Sequence, residues 1–235
     1  MLVLEDPWAS AGALRGRTVL VAMSGGVDSS VAALVLHERG ARLVGLTMQN
    51  FCFTDPGSGS RSCCSAAHLL DARRVCTKLG IPHHLVDVRA AFGRHVIDRF
   101  VTEYGAGRTP NPCADCNQSV RFPELLAHAA LLDAELVATG HYARSGHDGA
   151  GNWFVRRARA AAKDQAYFLH GVAPEALQRT VFPLGDLDKE TVRELGRAAG
   201  LAVADKPESQ EICFLPDGDR ERFFAERGGL HPGRV

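Results

Sequence analysis

The stretch SGGVDSS at residues 24–30 decides the fold that this sequence can adopt. It follows residues 18–23 (TVLVAM), a short apolar run rich in β-branched side chains that predicts a buried strand. It leads into residues 29–40, where apolar side chains recur at helical spacing and Gly40 supplies a stop signal. A strand, a glycine-rich turn and a helix in this order are typical of a phosphate-binding loop, because the amides at a helix N-terminus attract anions.

The residues of this loop suit the phosphates of a nucleotide. Gly25 and Gly26 let the backbone approach a ligand closely, and the serine hydroxyls supply hydrogen-bond donors. Asp28 would repel a bare phosphate, so its presence predicts a Mg²⁺ ion between the carboxylate and the phosphate. The Gly-Lys-Ser/Thr ending of a Walker A loop does not follow. A glycine turn with a serine cap, which needs no ligand, is the alternative interpretation.

The remaining pattern predicts an α/β fold, a Rossmann-like parallel sheet with helices on both faces. Further strands are predicted at residues 43–48, 84–88 and 135–139, and further helices at residues 66–79, 90–104, 122–132 and 187–199. Residues 54–62 and 107–117 indicate a loop and a turn, and residues 152–157 an edge or hairpin strand. SGGVDSS and GHYAR follow the first and fourth strands, so both should lie at the sheet edge where such folds bind ligands.

Length and charge restrict the class of protein. The 235 residues predict an N-terminal extension at 1–16, a main domain at 17–205 and the truncated start of a central domain at 206–235. No apolar run suits a bilayer and no signal peptide is recognisable, so we expect a cytoplasmic chain with no membrane partner. Lys+Arg 27 and Asp+Glu 27 give zero net charge. Nucleic acid is then not the partner, or the basic surface is local, or part of it is missing.

The chain has seven cysteines, an odd number that argues against a disulfide framework and for thiols, a metal site or catalysis. Cys113 and Cys116 form a C-x-x-C pair in TPNPCADCN, where two prolines stiffen the approach. Cys213 lies far along the chain in SQEICFLPDGD. Thiols on separate segments can exchange sulfur, since one can carry a persulfide that the other resolves. Cys52 and Cys76 indicate structural thiols, Cys76 on the apolar side of a helix.

Two metal sites are alternative interpretations of the remaining cysteines. Zinc would be held by Cys113 and Cys116 with Cys63 and Cys64, although the gap between the two pairs exceeds that of zinc ribbons. An iron–sulfur cluster would be held by Cys113, Cys116 and Cys213, with one iron left open.

A series of motifs carries a resemblance to a known family: SGGVDSS, GLTMQNF, GRTPNPCADCN, ATGHYAR, KDQAYFL, FPLG and SQEICFLPDGD. In this order they resemble the bacterial tRNA-specific 2-thiouridylases of the ATP pyrophosphatase (PP-loop) superfamily, from residue 17 to about residue 231. The later motifs are absent from other ATP pyrophosphatases. The resemblance implies the Rossmann-like fold of the HUP, or adenine nucleotide alpha hydrolase, domains, with residues 17–205 as the PP-loop ATP pyrophosphatase domain.

The resemblance implies a tRNA sulfurtransferase that uses ATP and Mg²⁺. ATP adenylates O2 of the wobble uridine 34 in the tRNAs for Lys, Glu and Gln, and sulfur then replaces that oxygen to give 2-thiouridine. The sulfur arrives as a persulfide from a partner, a cysteine desulfurase or a sulfur relay protein. Two other functions stay open: another PP-loop adenylating ligase or synthetase, and a truncated nucleotide-binding module without tRNA activity.

The family's functional residues carry over onto matching positions of this sequence. Cys116 matches the nucleophile and Cys213 the persulfide carrier. The implied ATP-binding positions are Ala22, Met23, Ser24, Gly25, Gly26, Val27, Asp28, Ser29, Met48 and Gly140. The implied tRNA-contacting positions are Asn111, Pro112 and Cys113 at the target base, together with His141, Lys163, Asp164 and Gln165.

The chain departs from the family pattern in its thiols. Many members have Asp where Cys113 stands, so the resemblance does not carry a general acid/base role over to this position, which supplies a third thiol. The variant resembles a subgroup that also carries the pair seen here as Cys63 and Cys64. A third thiol favours a 4Fe–4S cluster, in which Cys116 would be a ligand and not an attacking group.

The second departure is length. Family members continue into a central domain and a C-terminal β-barrel that help to grip tRNA, and HPGRV resembles the first residues of that continuation. The missing part would account for the zero net charge. A local basic cluster, Arg156, Arg157, Arg159 and Lys163, precedes DQAYF and favours phosphate contacts, with a solvated surface as the alternative.

Overall fold

The computed structural model describes residues 6–8, 10, 12–51, 66–207, 212–215 and 220–225 of the chain. The predicted loop at residues 54–62 lies outside the described residues, as do Cys52, Cys63 and Cys64. No helix within the described ranges combines the length and the apolar character that crossing a bilayer requires.

A five-stranded parallel sheet is the centre of the fold, which confirms the predicted α/β class. The strands lie in the order β3-β2-β1-β4-β7. Their bounds are β1 (Thr18–Ala22), β2 (Arg42–Gln49), β3 (His83–Asp87), β4 (Leu136–Ala138) and β7 (Thr180–Val181). The chain runs outward from β1 to β3 and then returns to place β4 on the other side of β1. The strand order therefore reverses between β1 and β4, and this is the point at which open α/β sheets bind their ligands.

Helices cover both faces of the sheet because side chains of β1 alternate between them. Val19 and Val21 face a core shared with α1, α2 and α8, whereas Leu20 faces a core shared with α6. The α-helices are α1 (Val27–Glu38), α2 (Ala66–Leu79), α3 (Arg89–Phe92), α4 (Asp98–Gly105), α5 (Pro112–Cys116), α6 (Phe122–Leu131), α7 (Pro174–Gln178), α8 (Lys189–Ala198) and α9 (Arg220–Ala225). The predicted bounds of α2 are confirmed.

The predicted turn at residues 107–117 is wrong in its second half, which forms helix α5. Asn111 caps this helix, since its side-chain oxygen accepts from the backbone amides of Cys113 and Ala114 at 3.2 Å each. Pro112 occupies the first helical turn. Backbone N–H groups have no partner within the helix at this position, so the missing N–H of proline costs no hydrogen bond. The two prolines thus mark a helix start. A π-helical turn, Asn117–Arg121, then joins α5 to α6.

A separate antiparallel hairpin follows β4. Strand β6 (Trp153–Arg157) confirms the strand predicted there, and it pairs with β5 (Ala143–His147). The sequence ARSGH of β5 gave no strand signal, because it is short and polar and contains a glycine. Pairing with β6, a tertiary contact, stabilises it instead.

The described parts of both terminal segments pack on the main domain. Leu14 is 1% exposed and lies in the same core as α1. Phe214 packs edge-on against the rings of Phe92 and Phe100, at centroid distances of 5.9 and 5.4 Å. The division of the chain into an extension at 1–16, a domain at 17–205 and a further domain from 206 stays a prediction.

Candidate functional site

The SGGVDSS loop turns sharply between β1 and α1. Gly25 has a φ of +74°, and a Cβ there would lie 2.0 Å from the backbone oxygen of His68. Gly26 is the N-cap of α1, which therefore starts inside the motif, two residues before the predicted start. The hydroxyl of Ser29 accepts from the Ser24 amide at 3.1 Å. The positive φ of Gly25, the N-cap position of Gly26 and the Ser24–Ser29 hydrogen bond thus shape the turn from which α1 begins.

Gly140 brings the end of β4 against this loop. A Cβ on Gly140 would lie 2.7 Å from the backbone nitrogen of Ser29 and 2.8 Å from the carbonyl carbon of Asp28. Because backbone atoms cannot yield as flexible side chains do, only glycine allows this approach. The predicted proximity of SGGVDSS and GHYAR is confirmed.

The first cavity, of about 210 Å³, opens between these two strand ends. Predicted ATP-binding residues form much of its wall: Ala22, Met23, Ser24, Asp28, Ser29, Met48 and Gly140. Gly25, Gly26 and Val27 belong to the loop itself but do not line the cavity. The assignment of all ten positions to ATP stays a prediction.

The carboxylate of Asp28 is held by two groups that the sequence analysis did not assign. The ammonium of Lys189 donates to both carboxylate oxygens, at 2.7 and 2.9 Å, and the hydroxyl of Tyr142 donates at 2.8 Å. Lys189 lies on the helix predicted at residues 187–199, and its side chain is only 13% exposed because it points toward Asp28. The ammonium of Lys189 thus stands beside this carboxylate, and coordination of Mg²⁺ by Asp28 stays a prediction.

A second lysine lies beside the loop. The Nζ of Lys206 donates to Asp71 at 2.8 Å and to the backbone oxygen of Gly25 at 3.4 Å. Burial raises the pKa of Asp71 but the hydrogen bond and charge of Lys206 outweigh it, so the pKa is lowered overall. Two lysines from distant parts of the chain, each paired with a carboxylate, therefore flank SGGVDSS.

The second cavity, of about 720 Å³, contains the three thiols predicted to be functional. Cys113 and Cys116 reach it from the two ends of α5, and Cys213 reaches it from the described segment 212–215. Cys116 is 7% exposed, whereas Cys113 is solvent-accessible. Desolvation raises the pKa of the Cys113 thiol, and the Arg121 guanidinium acts in the opposite direction. Residues separated by almost a hundred positions thus share one site.

The thiols are the right donor type for an iron–sulfur cluster, and the binding of a cluster stays a prediction. Within the part of the chain that the structure describes, no three His, Cys, Asp or Glu side chains form a group that could hold a metal ion. Cys76 lies elsewhere, buried in the sheet core, where desolvation raises its pKa to about 11. This burial is what a structural thiol requires.

The two cavities adjoin each other. Four described residues line both of them: Asn50, Arg121, His141 and Gln165. These four residues form the shared wall of the two cavities. A ligand that extends from the loop would therefore lie next to a second ligand beside the thiols.

His141 is held as a neutral ring in the shared wall. Its Nε2 lies 3.2 Å from a guanidinium nitrogen of Arg121, and its Nδ1 lies 2.8 Å from the hydroxyl of Thr139. Arginine only donates, so Nε2 accepts and Nδ1 carries the proton. Burial, with a smaller contribution from Arg121, lowers the pKa of His141 to about 3. The ring is consequently an acceptor at the site and carries no charge near neutral pH.

The predicted tRNA-contacting residues divide into two groups. Asn111, Pro112 and Cys113 line the thiol cavity, while His141 and Gln165 line both cavities. Asp164 and Lys163 line neither. Asp164 instead accepts from the amide of Ala158 at 2.8 Å, which fixes the turn after the hairpin.

Four residues near the cavities escaped the sequence analysis: Tyr142, Lys189, Lys206 and Arg121. Each of them acts through a contact between segments that are distant in the sequence. The local signal was a positive charge near a motif: Lys189 follows FPLG, Lys206 begins KPES, and Arg121 follows the C-x-x-C pair.

Comparison with known proteins agrees with this architecture. A family model described as the tRNA methyl transferase HUP domain matches residues 17–217. The tRNA-specific 2-thiouridylase MnmA of Pelotomaculum thermopropionicum is 49% identical over 222 residues, which is 92% of this chain and 60% of that protein. The protein of the same name from Anaplasma marginale is 48% identical over 212 residues, 90% of this chain and 54% of that protein. The chain thus spans about 60% or less of the length of these two relatives.

Solved structures share the fold at low sequence identity. A 4-thiouridine synthetase in complex with RNA and ATP has a TM-score of 0.57 at 18% identity, covering 85% of this chain and 45% of that chain. The U34-tRNA thiolase NcsA of Methanococcus maripaludis, described with its 4Fe–4S cluster, has a TM-score of 0.53 at 16% identity, covering 93% and 70%. The match of the family model over residues 17–217 is the decisive observation, and it shows that the chain belongs to the tRNA methyl transferase HUP domain family, with tRNA-specific 2-thiouridylases among its relatives.

Proposed function

We propose that this chain is the PP-loop ATP pyrophosphatase domain of a tRNA 2-thiouridylase, acting in the cytoplasm on the wobble uridine of the tRNAs for Lys, Glu and Gln. One observation carries the proposal: the loop cavity and the thiol cavity share a wall. An enzyme that first activates an oxygen with ATP and then replaces it with sulfur needs these two sites in contact. The names of the relatives are consistent with this chemistry.

In the first step, O2 of the uridine attacks the α-phosphate of ATP. The new O–P bond forms as the bond between the α-phosphate and the β-phosphate breaks, and pyrophosphate leaves toward the SGGVDSS loop. Lys189 and Lys206 lie on that side and neutralise the departing charge. Asp28 orients Lys189 through the ion pair. ATP brings its own Mg²⁺ from solution.

In the second step, sulfur replaces the adenylated oxygen. A persulfide on Cys213 attacks C2 with its terminal sulfur, and AMP leaves with the former O2. The Cys116 thiolate then attacks the Cys213 sulfur, which breaks the sulfur–sulfur bond, forms a Cys116–Cys213 disulfide and releases 2-thiouridine. A dithiol reductant restores both thiols, and a cysteine desulfurase or sulfur relay protein reloads the persulfide.

Two features support the assignment of the remaining residues. Asn111, Pro112 and Cys113 line the thiol cavity and would face the target base, with Gln165 and His141 at the shared wall. Arg156 and Arg157 lie at the end of β6, shortly before Lys163 in the sequence, and would contact RNA phosphates. A cluster held by Cys113, Cys116 and Cys213 is the alternative sulfur carrier, and an anaerobic iron and sulfide assay with a visible spectrum distinguishes it from a persulfide.

The decisive experiment combines the chain with unmodified tRNA, ATP, Mg²⁺ and a persulfide donor, and measures 2-thiouridine by mass spectrometry. Cys116→Ser and Cys213→Ser should abolish the product, and Cys76→Ser, which alters a core thiol, is the matched control. AMP formation that depends on tRNA should persist in both active-site variants. Absence of tRNA-dependent AMP and of 2-thiouridine with the wild-type chain would refute the proposal.

Two other functions make different predictions. Another adenylating synthetase would use ATP with a different acceptor and would be indifferent to Cys116→Ser and Cys213→Ser. A nucleotide-binding module without tRNA activity would bind ATP yet give no shifted band with tRNA in a gel.

A further inference from the structure

Arg121 lies where the two cavities meet. It ends the π-helical turn Asn117–Arg121 and lines both the loop cavity and the thiol cavity. The other residues with this property are Asn50, Gln165 and His141, which are neutral amides and a neutral imidazole. Among the described residues, Arg121 therefore contributes the positive charge of the shared wall.

The side chain of Arg121 is held in place from two elements. One guanidinium nitrogen donates to Oδ1 of Asn117 at 2.7 Å and to Nε2 of His141 at 3.2 Å. Asn117 is itself 1% exposed and donates to the backbone oxygen of Phe168 at 2.9 Å. These two contacts fix the orientation of the guanidinium.

We propose that Arg121 is a catalytic residue of the adenylation step, in which its guanidinium contacts the α-phosphate. This inference rests on the proposed function. In the proposed reaction, pyrophosphate is held at the loop and the uridine lies beside the thiols. The α-phosphate must therefore lie next to the residues that line both cavities when O2 attacks it. A planar guanidinium matches two phosphate oxygens at once, which a lysine ammonium cannot do.

The charge balance of the step explains why a fixed cation is needed there. As the bond from O2 to the α-phosphate forms and the bond to pyrophosphate breaks, negative charge spreads over the non-bridging oxygens of the transferred group. Lys189 and Lys206 flank the loop and serve the departing pyrophosphate. Arg121 would stabilise the transferred group itself, and the resulting AMP would keep this contact until sulfur attacks C2.

The test compares Arg121→Met and Arg121→Lys with the wild-type chain. AMP formation from ATP and tRNA is measured in a single turnover, and the Kd for ATP is measured by titration. Arg121→Met should slow AMP formation about 10²-fold or more while changing the Kd for ATP less than about threefold. Arg121→Lys should restore part of the rate, because lysine keeps the positive charge but cannot donate to two phosphate oxygens with the planar geometry of a guanidinium. The control is Arg197→Met, which removes an exposed arginine of α8 paired with Asp205.

The outcomes separate this role from the alternatives. Normal AMP formation with impaired 2-thiouridine formation would assign Arg121 to the thiols and overturn the proposal. An equal loss in AMP formation and in ATP affinity would reduce it to a ground-state contact and also overturn it. Circular dichroism and thermal unfolding check that each variant folds, and partial rescue in Arg121→Lys excludes a purely structural effect. A wild-type chain that forms no AMP with tRNA would refute the proposed function itself.

Discussion

Single charged side chains set the electrostatics of this site. Asp28 belongs to the phosphate loop, yet its negative charge is compensated by Lys189 and oriented by Tyr142. His141 is kept uncharged by burial and by the neighbouring Arg121. The carboxylate of the loop is thus balanced by a lysine from a distant helix. The Lys189–Asp28 pair is the residue-level feature that a substitution can test most directly.

We predict that Lys189→Met lowers the free energy of unfolding by about 1–3 kcal/mol, because it leaves the partly buried Asp28 carboxylate without its cation. The same variant should weaken tRNA-dependent AMP formation. Asp28→Asn in the same chain should recover part of the lost stability, since it removes the uncompensated charge. Urea unfolding measures the free energies, and Arg197→Met, whose ion pair is on the surface, should cost less than about 1 kcal/mol. A double variant no more stable than Lys189→Met alone would contradict this account.

At the scale of elements, the loop depends on two close approaches of backbone to backbone. Gly25 lies against the backbone of α2, and Gly140, after β4, lies against the first turn of α1. Gly26, although adjacent, has only the Ser24 hydroxyl near its Cβ position, at 3.6 Å. The two glycines of one motif therefore have different roles, and the amino-acid sequence alone does not distinguish them.

We predict that Gly25→Ala destabilises the chain by about 2–5 kcal/mol, the sum of a left-handed backbone penalty and overpacking against His68. Gly26→Ala should change stability by less than about 1 kcal/mol, because its φ of −95° suits alanine. Thermal and urea unfolding of the two variants measure the contrast. Equal stabilities for both variants would show that the close approach to α2 does not constrain the loop.

The whole molecule brings its C-terminal segment onto the thiol cavity. Phe214, Phe223 and Phe224 are buried with Phe92 and Phe100 in one aromatic cluster, and Cys213 packs at its edge. The position of the Cys213 thiol thus depends on the hydrophobic burial of its neighbour Phe214. Loss of this burial should release the thiol without disturbing the phosphate loop.

We predict that Phe214→Ala accelerates alkylation of Cys213 and reduces 2-thiouridine formation, while tRNA-dependent AMP formation is retained. The cavity it leaves should lower stability by about 3–5 kcal/mol. Phe214→Leu, which keeps most of the apolar volume, should fall between this variant and the wild type. Phe154→Ala removes a ring that is 38% exposed on the hairpin and serves as the control. Mass spectrometry of labelled peptides gives the alkylation rates, and an unchanged rate at Cys213 would exclude anchoring by Phe214.

The amino-acid sequence by itself determined the α/β class, the phosphate loop between β1 and α1, and the thiols of the second cavity. These features depend on local patterns: apolar periodicity, glycine placement and motif spacing. Helix α5 was hidden because prolines signal a turn as well as a helix start, and β5 because its pairing with β6 supplies what its composition lacks. The assignments of individual residues to ATP and tRNA stay predictions.

Only the tertiary structure decided which charges meet at the site. Lys189 reaches Asp28 across more than 150 residues, and Arg121 reaches His141 from a different element. A helical pattern could place Lys189 on a polar face but could not say whether that face meets water or a carboxylate. The same holds for the shared wall of the two cavities, because local sequence patterns are silent on which distant segments become neighbours when the sheet and its helices pack.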